Sequence, residues 1–139
     1  MTRPTPAALL LDLAELQADL TRSLDHALSP HGISFTEFST LRQLYDAPRQ
    51  CMRRVDLARS IGLSASGVTR LLIPMEKIGL VARQASERDA RVSLVTLTRA
   101  GRRLFADADV AFEHFAADRL EALDAQERGE LARLIGKLR

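Results

Sequence analysis

The sequence has few aromatic residues and a single cysteine. Only 4% of its 139 residues are aromatic and tryptophan is absent, yet hydrophobic residues make up 46% of the chain. Leucine, valine, isoleucine and alanine must therefore fill the core, which is typical of packed helices. Cys51 alone excludes an internal disulfide and offers no thiolate cluster for zinc. We expect one mainly helical domain over 1–139, with no structural metal and no cofactor.

Signals for membranes, secretion and catalysis are also absent. No apolar stretch approaches the roughly 18 residues of a membrane span, and the amino end lacks the pattern of a secretory signal. No nucleophile lies beside a base, no carboxylate pair is evident, and no glycine loop suits a phosphate. The three histidines do not have the spacing of metal ligands. These absences predict a cytoplasmic protein that is not an enzyme, with no catalytic residues and no membrane partner.

Positive charge is concentrated in the middle of the chain. Residues 49–103 include 12 basic and four acidic side chains, a net charge of +8, whereas the remainder carries −6. A segment of this sign is the electrostatic footprint of a module that binds a polyanion. The alternative is an arginine-rich solvated surface without a specific partner, and the motifs must decide between the two.

Long amphipathic helices are predicted at both ends. Leucines recur at spacings of three and four over 9–28, and Thr98 and Asp124 have the context of caps for two further helices. A chain of this size has too many apolar helical faces to bury alone. We therefore expect the helices of 5–32 and 98–139 to hold a homodimer together.

Residues 34–97 have the pattern of a winged helix-turn-helix. An S-x-x-E capping box at Ser34 opens one helix, a short helix follows, and after a tight turn Ser64 is placed to cap another. The spacing then changes to short β-branched runs over 80–84 and 91–97, which predicts a hairpin. The predicted fold is mainly α with a small β-hairpin wing, in which a DNA-binding core is flanked by amino- and carboxyl-terminal dimerisation helices.

The helix after Ser64 is predicted to enter the major groove by its amino end. Its core-facing side is expected to comprise Val68, Leu71, Leu72, Met75 and Ile78. Hydroxyl and guanidinium groups suited to base edges, and small residues that allow close approach, are found at Ser64, Ala65, Ser66, Gly67, Thr69 and Arg70. An ordinary capped surface helix is the alternative interpretation.

The predicted wing carries a charged tip at 87–91. The carboxylate of Asp89, between Arg88 and Arg91, would orient a guanidinium for the narrow and negative minor groove. These three residues join the predicted DNA contacts, as do Arg53 and Arg54 of the basic segment. Solvated ion pairs at a hairpin tip are the alternative.

Together these motifs resemble the multiple-antibiotic-resistance regulator (MarR) family. The matching stretches follow the family's order along nearly the whole chain: FTEFSTL at 35–41, DLA at 56–58, LSASGVTRL at 63–71, EKIGLV at 76–81, RDAR at 88–91 and LTRAG at 97–101. The resemblance implies a sequence-specific regulator of transcription that binds double-stranded DNA as a homodimer on a pseudo-palindromic operator. It further implies a repressor that a small aromatic or phenolic effector releases.

Two positions depart from the family's pattern. An Asp-Arg pair is common late in the recognition helix, whereas this sequence has Ile73 and Pro74, and the proline is expected to kink the helix. Cys51 lies in the connection before the helix-turn-helix, whereas the peroxide-responsive branch carries its cysteine in the first helix. Two alternatives stay open: an oxidant-sensing regulator that uses Cys51, and a helical protein-interaction adaptor that does not bind DNA.

Overall fold

The computed structural model describes residues 2–139. Within this range the helices are α1 (Pro6–Leu28), α2 (Phe35–Asp46), α3 (Arg54–Ile61), α4 (Ala65–Lys77), α5 (Arg99–Arg119) and α6 (Ala125–Lys137). The strands are β1 (Cys51–Arg53), β2 (Val81–Ala85) and β3 (Ser93–Leu97). The mainly helical fold with a small wing is confirmed, and we use "wing" for β2, β3 and the loop 86–92 between them.

Local capping chemistry sets the starts of these helices. The Ser34 hydroxyl accepts the Glu37 N–H at 3.1 Å, and the Glu37 carboxylate accepts the Ser34 N–H at 2.9 Å. Asp124 and Glu127 form the same reciprocal pair at the start of α6. Both predicted capping boxes are therefore confirmed, as is the cap of α4 by Ser64.

The sheet has one strand more than the sequence predicts. β3 lies between β1 and β2 and pairs antiparallel with both, with Cys51 opposite Thr96 in the first pairing. Placing Cys51 in a connection was therefore wrong. A strand of three residues is too short to show an alternating pattern, and its pairing partner is 45 residues away in sequence.

One apolar face of α4 packs into the common core. Val68, Leu72 and Met75 are each at most 2% exposed, and α2, α3 and the sheet pack around them. Leu71 is half-buried, but the prediction that Ile78 faces the core is wrong, since 62% of it is exposed. Ile78 follows the last helical residue and has ψ near 0°, so helical spacing no longer sets its direction.

The helix continues past its proline. Ile73 and Pro74 are both exposed, and α4 stays helical as far as Lys77. Pro74 therefore does not end the helix that carries the predicted base-contacting residues.

The two ends of the chain leave much apolar surface uncovered. Among large hydrophobic side chains, Leu9, Leu10, Leu11, Leu13 and Leu16 of α1 are 43–69% exposed, and α6 buries none of its residues. None of the helices within 2–139 is both long enough and apolar enough to cross a membrane.

Neighbouring positions of α4 allow a direct test of this packing. Leu72 is fully buried whereas 45% of Ile73 is exposed. We expect Leu72→Ala to lower the free energy of unfolding by about 2–5 kcal/mol, because it removes a buried side chain and leaves a cavity. Ile73→Ala, the matched control, should cost about 1 kcal/mol or less. Urea unfolding followed by circular dichroism measures both, and equal losses would contradict the assigned orientation of α4.

Candidate nucleic-acid interface

The amino end of α4 presents a cap and a short exposed surface. The Ser64 hydroxyl accepts the Gly67 N–H at 3.1 Å and lies 3.2 Å from the Ser66 hydroxyl. A Cβ on Gly67 would lie 3.2 Å from the Ser64 oxygen, so the absent side chain leaves room for this cap. The Ser64 hydroxyl is thus engaged in the cap, and Ser64, Ala65 and Ser66 are all exposed.

One turn further along, Thr69 and Arg70 have different surroundings. The Thr69 hydroxyl donates to the Ala65 carbonyl at 3.0 Å and accepts an N–H of Arg54 at 2.5 Å. Thr69 is half-buried, so it does not point freely away from the core, whereas Arg70 is exposed. Arg54, at the start of α3, therefore ties the two helices of the helix-turn-helix together.

Arg53 is held by a carboxylate within its own segment. Its Nε and one terminal nitrogen donate to the two oxygens of Asp56 at 2.8 and 3.1 Å. The hydrogen bond from Arg53 lowers the pKa of Asp56, and the nearby charges of Arg53 and Arg59 act in the same direction. The side chain of Arg53 is 55% exposed, so the pair presents an oriented guanidinium to solvent.

The tip of the wing contains a similar pair. Arg91 donates its backbone N–H to Asp89 at 3.0 Å, and two side-chain nitrogens contact the same carboxylate at 3.1 and 3.2 Å. These hydrogen bonds, the side-chain ones first, hold the pKa of Asp89 below its usual value. Arg91 is 90% exposed, so Asp89 orients its guanidinium without covering it, as the sequence predicts. Arg88 is also exposed at this tip.

A groove of about 550 Å³ separates the amino end of α4 from the wing. Five of the predicted residues border it, namely Arg53, Arg54, Ala65, Thr69 and Arg91. The other six, Ser64, Ser66, Gly67, Arg70, Arg88 and Asp89, do not line it; they belong to α4, its cap or the wing tip. The tertiary structure therefore places arginines of α3 and of the wing on one concave, basic surface.

The groove is also lined by a basic residue that is absent from the predicted DNA contacts. Arg59 lines it from α3, together with Val55 one turn earlier. The i, i+4 spacing of Val55 and Arg59 places them on one side of α3. This spacing is the feature of the sequence that indicates a shared helix face. Arg59 belongs to the basic segment of the sequence, but its place in the groove depends on tertiary packing.

A second charged cluster lies where α2 meets α5. The guanidinium of Arg42 lies 5.5–5.9 Å from the ring centroids of Phe38, Phe105 and Phe112. One of its nitrogens contacts a carboxylate oxygen of Asp109 at 2.7 Å. Its Nε is buried and has no hydrogen-bond partner among the described residues. The cluster therefore combines a cation, aromatic faces and an unused N–H donor.

Cys51 and the histidines are not grouped as metal ligands among the described residues. Cys51 is half-buried in β1, and its sulfur lies 3.7 Å from the Thr96 hydroxyl across the sheet. Over the part of the chain that the structure describes, no three histidine, cysteine, aspartate or glutamate side chains are grouped to hold a metal.

Comparisons with known proteins agree with this architecture. The family model described as "MarR family" matches residues 33–93, which span α2 to the start of β3. A cysteine-to-serine mutant of MarR from E. coli, solved with operator DNA, superposes with a TM-score of 0.85 at 24% identity, covering 94% of this chain and 92% of that one. AbsC, a MarR family transcriptional regulator from Streptomyces coelicolor, gives 0.80 at 25% identity over 99% and 95%. The M. tuberculosis transcriptional regulator MosR, solved with DNA, gives 0.75 at 28% identity over 90% and 91%.

Helix-turn-helix, basic groove and three-stranded sheet together define a winged-helix protein. Residues 33–93 match the model of the MarR family, and the whole chain is similar in fold to the regulators AbsC and MosR.

Proposed function

We propose that this protein binds double-stranded DNA at specific, pseudo-palindromic sites as a homodimeric repressor of transcription in the cytoplasm. The observation that supports this most directly is the basic groove between α4 and the wing. Four arginines border this groove of the protein, with the capped end of α4 on one side and the guanidinium of the wing tip on the other. It therefore suits a DNA phosphate backbone, with α4 in the major groove and the wing at the minor groove. A helical adaptor that binds only protein does not account for a basic groove between a helix end and a wing.

The contacts divide into those that specify bases and those that position the duplex. Ser66 and Arg70 are exposed near the amino end of α4 and are proposed to contact base edges in the major groove. Ala65 and Gly67 allow close approach there, and Ser64 maintains the cap.

Positioning contacts come from the end of β1, from α3 and from the wing. Arg53, oriented by Asp56, is proposed to contact phosphate, and Arg54 acts through Thr69 to hold α4 in place. At the wing tip, Arg91 and Arg88 are proposed to reach the minor groove, with Asp89 orienting Arg91.

The proposed homodimer rests on the uncovered ends of the chain. α6 buries no residue, although Leu131, Leu134, Ile135 and Leu138 are all apolar and 39–75% exposed. A helix of 13 residues is marginal without tertiary packing, so a partner surface is needed to cover this side. We propose that 5–32 and 98–139 supply the dimer interface and that 34–97 form the DNA-binding core of a single domain.

The dimer interface can be tested by replacing its apolar residues. We expect Leu134→Glu with Ile135→Glu to convert a particle of twice the 15.4 kDa chain mass into a monomer, and to abolish specific DNA binding. Removal of 124–139 should do the same. Light scattering coupled to size exclusion measures the mass, and Gln126→Glu on the same helix is the control. A truncated monomer that keeps full DNA affinity would contradict the proposal.

Substitutions in α4 and in the wing should have different effects on DNA binding. Arg70→Ala should relax base preference at particular half-site positions and cost about 1–3 kcal/mol if its contact is bidentate to guanine. Arg91→Ala should instead weaken preference in the outer A·T-rich flanks, where groove width sets the potential. Asp89→Ala should resemble a milder Arg91→Ala, because the guanidinium loses its orienting carboxylate.

The measurement is a binding-energy matrix over every operator position at one salt concentration. Arg3→Ala, at an exposed arginine before α1 and outside the proposed interfaces, controls for the loss of one positive charge. Unchanged affinity and flank preference in Arg91→Ala would remove the wing from the DNA interface.

We further propose that a small aromatic acid or phenol releases the DNA by binding beside Arg42. Phe112, the partly buried ring beside the guanidinium, suits the flat face of such a ligand, whose oxygen would replace Asp109 and Glu113 as the partner of the guanidinium. Loss of the Arg42–Asp109 contact would loosen α2, which is part of the proposed DNA-binding core, from α5.

Benzoate and phenol are suitable probes for this effector site. We expect them to displace wild-type protein from labelled DNA, with Arg42→Gln needing a roughly 10–100-fold higher concentration because a charge-assisted hydrogen bond is lost. Arg3→Gln, outside the proposed interfaces, should respond as wild type. Equal displacement of wild type and Arg42→Gln would place the effector elsewhere, and no displacement by either probe would remove this effector class.

A further inference from the structure

The segment that follows α4 meets the start of α5 in a close backbone contact. We call Gly79, Leu80, Thr98 and Gly101 the α4–α5 junction. Gly79 has a left-handed conformation, with φ of 81°, and turns the chain directly after α4. The Leu80 N–H donates to the Met75 carbonyl at 3.0 Å, so Leu80 is tied to the last turn of the recognition helix.

Thr98 joins this point to α5 with both its backbone and its side chain. Its N–H donates to the Leu80 carbonyl at 3.2 Å, and its hydroxyl lies 2.9 Å from that oxygen and 2.5 Å from the Gly79 carbonyl. The same hydroxyl accepts the Gly101 N–H at 3.0 Å and so caps α5. A single side chain therefore caps α5 while donating to the backbone at the end of α4.

Gly101 permits this approach because it has no side chain. A Cβ there would lie 2.2 Å from the Leu80 carbonyl oxygen and 2.7 Å from a methyl group of Leu97. The nearer atom belongs to the backbone, so it cannot move away unless the start of β2 or the end of α4 moves too. The glycine thus lets the start of α5 lie directly against Leu80, which is itself bonded to the last turn of α4.

This contact has a consequence for DNA if α5 belongs to the dimer interface, as proposed above. The position of α5 against the partner would then determine where each copy holds its α4, since the junction permits little rotation between the two helices. In a symmetric dimer the separation of the two recognition helices selects the distance between half-sites.

We propose that Thr98 and Gly101 are positioning residues that set the half-site spacing the dimer accepts, without touching DNA. A junction that only stabilised the fold would affect every spacing alike. The two roles therefore differ in the profile of affinity against spacing, and this inference rests on the proposed function.

The test uses the full-length protein and an operator first selected from random duplexes, then rebuilt with one or two base pairs added or removed between half-sites. Wild type should show a sharp optimum. We expect Thr98→Val and Gly101→Ala to reduce the affinity ratio between the best and adjacent spacings about tenfold, which corresponds to about 1.4 kcal/mol. Thr98→Ser, which keeps the hydroxyl, should retain the wild-type profile.

Gly129→Ala is the matched glycine control. A Cβ at Gly129 meets nothing within 4 Å, and helical periodicity places it opposite the apolar stripe of α6. Its spacing profile should equal that of wild type. If Gly101→Ala does not fold, Thr98→Val and Thr98→Ser decide the question together.

A readout without DNA separates this inference from the proposed function. A spin label introduced by Arg70→Cys in a Cys51→Ser background reports the distance between the two copies of α4. We expect a narrow distribution that Thr98→Val broadens and Thr98→Ser does not. Unchanged distances and spacing profiles in Thr98→Val and Gly101→Ala would overturn the positioning role alone. A wild-type protein that forms neither a dimer nor a DNA complex would overturn both proposals.

Discussion

The burial of one face of α4 is the constraint on which the rest of the site depends. Leu72 and Met75 are fully buried, and Val68 is nearly so, in the core shared with α2, α3 and the sheet. Because the helical period carries the opposite face to solvent, Ser66 and Arg70 are exposed. The apolar core thus orients the proposed base-contacting surface, although none of its residues belongs to that surface.

Carboxylates orient the important arginines. Arg53 is held by Asp56, Arg91 by Asp89, and Arg42 by Asp109. Exposed pairs of this kind add little stability, but they restrict a long flexible side chain to one direction. In the first two pairs the direction is toward solvent beside the basic groove, which suits phosphate or a DNA groove. In the third the guanidinium lies over aromatic rings, which suits a planar anion.

The uncovered helices at the ends of the chain relate the basic groove and the Arg42 cluster to the proposed dimer. α6 has no buried residue in the single chain, while α5 contributes Phe105 and Ala108 to the core. α5 therefore packs against the DNA-binding core and, in the proposed dimer, also contacts the partner. A change at the Arg42–Asp109 contact and a change at the α4–α5 junction both act on the position of α5, so effector and operator would be coupled through one helix.

Much of the fold follows from short-range sequence signals. The cap at Ser64 and the box at Ser34 join residues three apart, and the glycine that ends α3 acts on its own turn. The charged wing tip was likewise predictable, because the bond between Asp89 and Arg91 spans two residues. The family resemblance rests on the same local motifs, in their order along the chain.

Tertiary packing decided what local spacing could not. The pairing of Cys51 with Thr96 added a strand, the bond from Arg54 engaged Thr69, and the fold brought Arg59 to the groove opposite the wing. These partners lie 15 to 45 residues apart in sequence, so no periodicity of 2 or 3.6 residues relates them. Local sequence determined where the helices begin and end, whereas long-range contacts determined which side chains meet, because only a folded core brings distant segments within hydrogen-bonding distance.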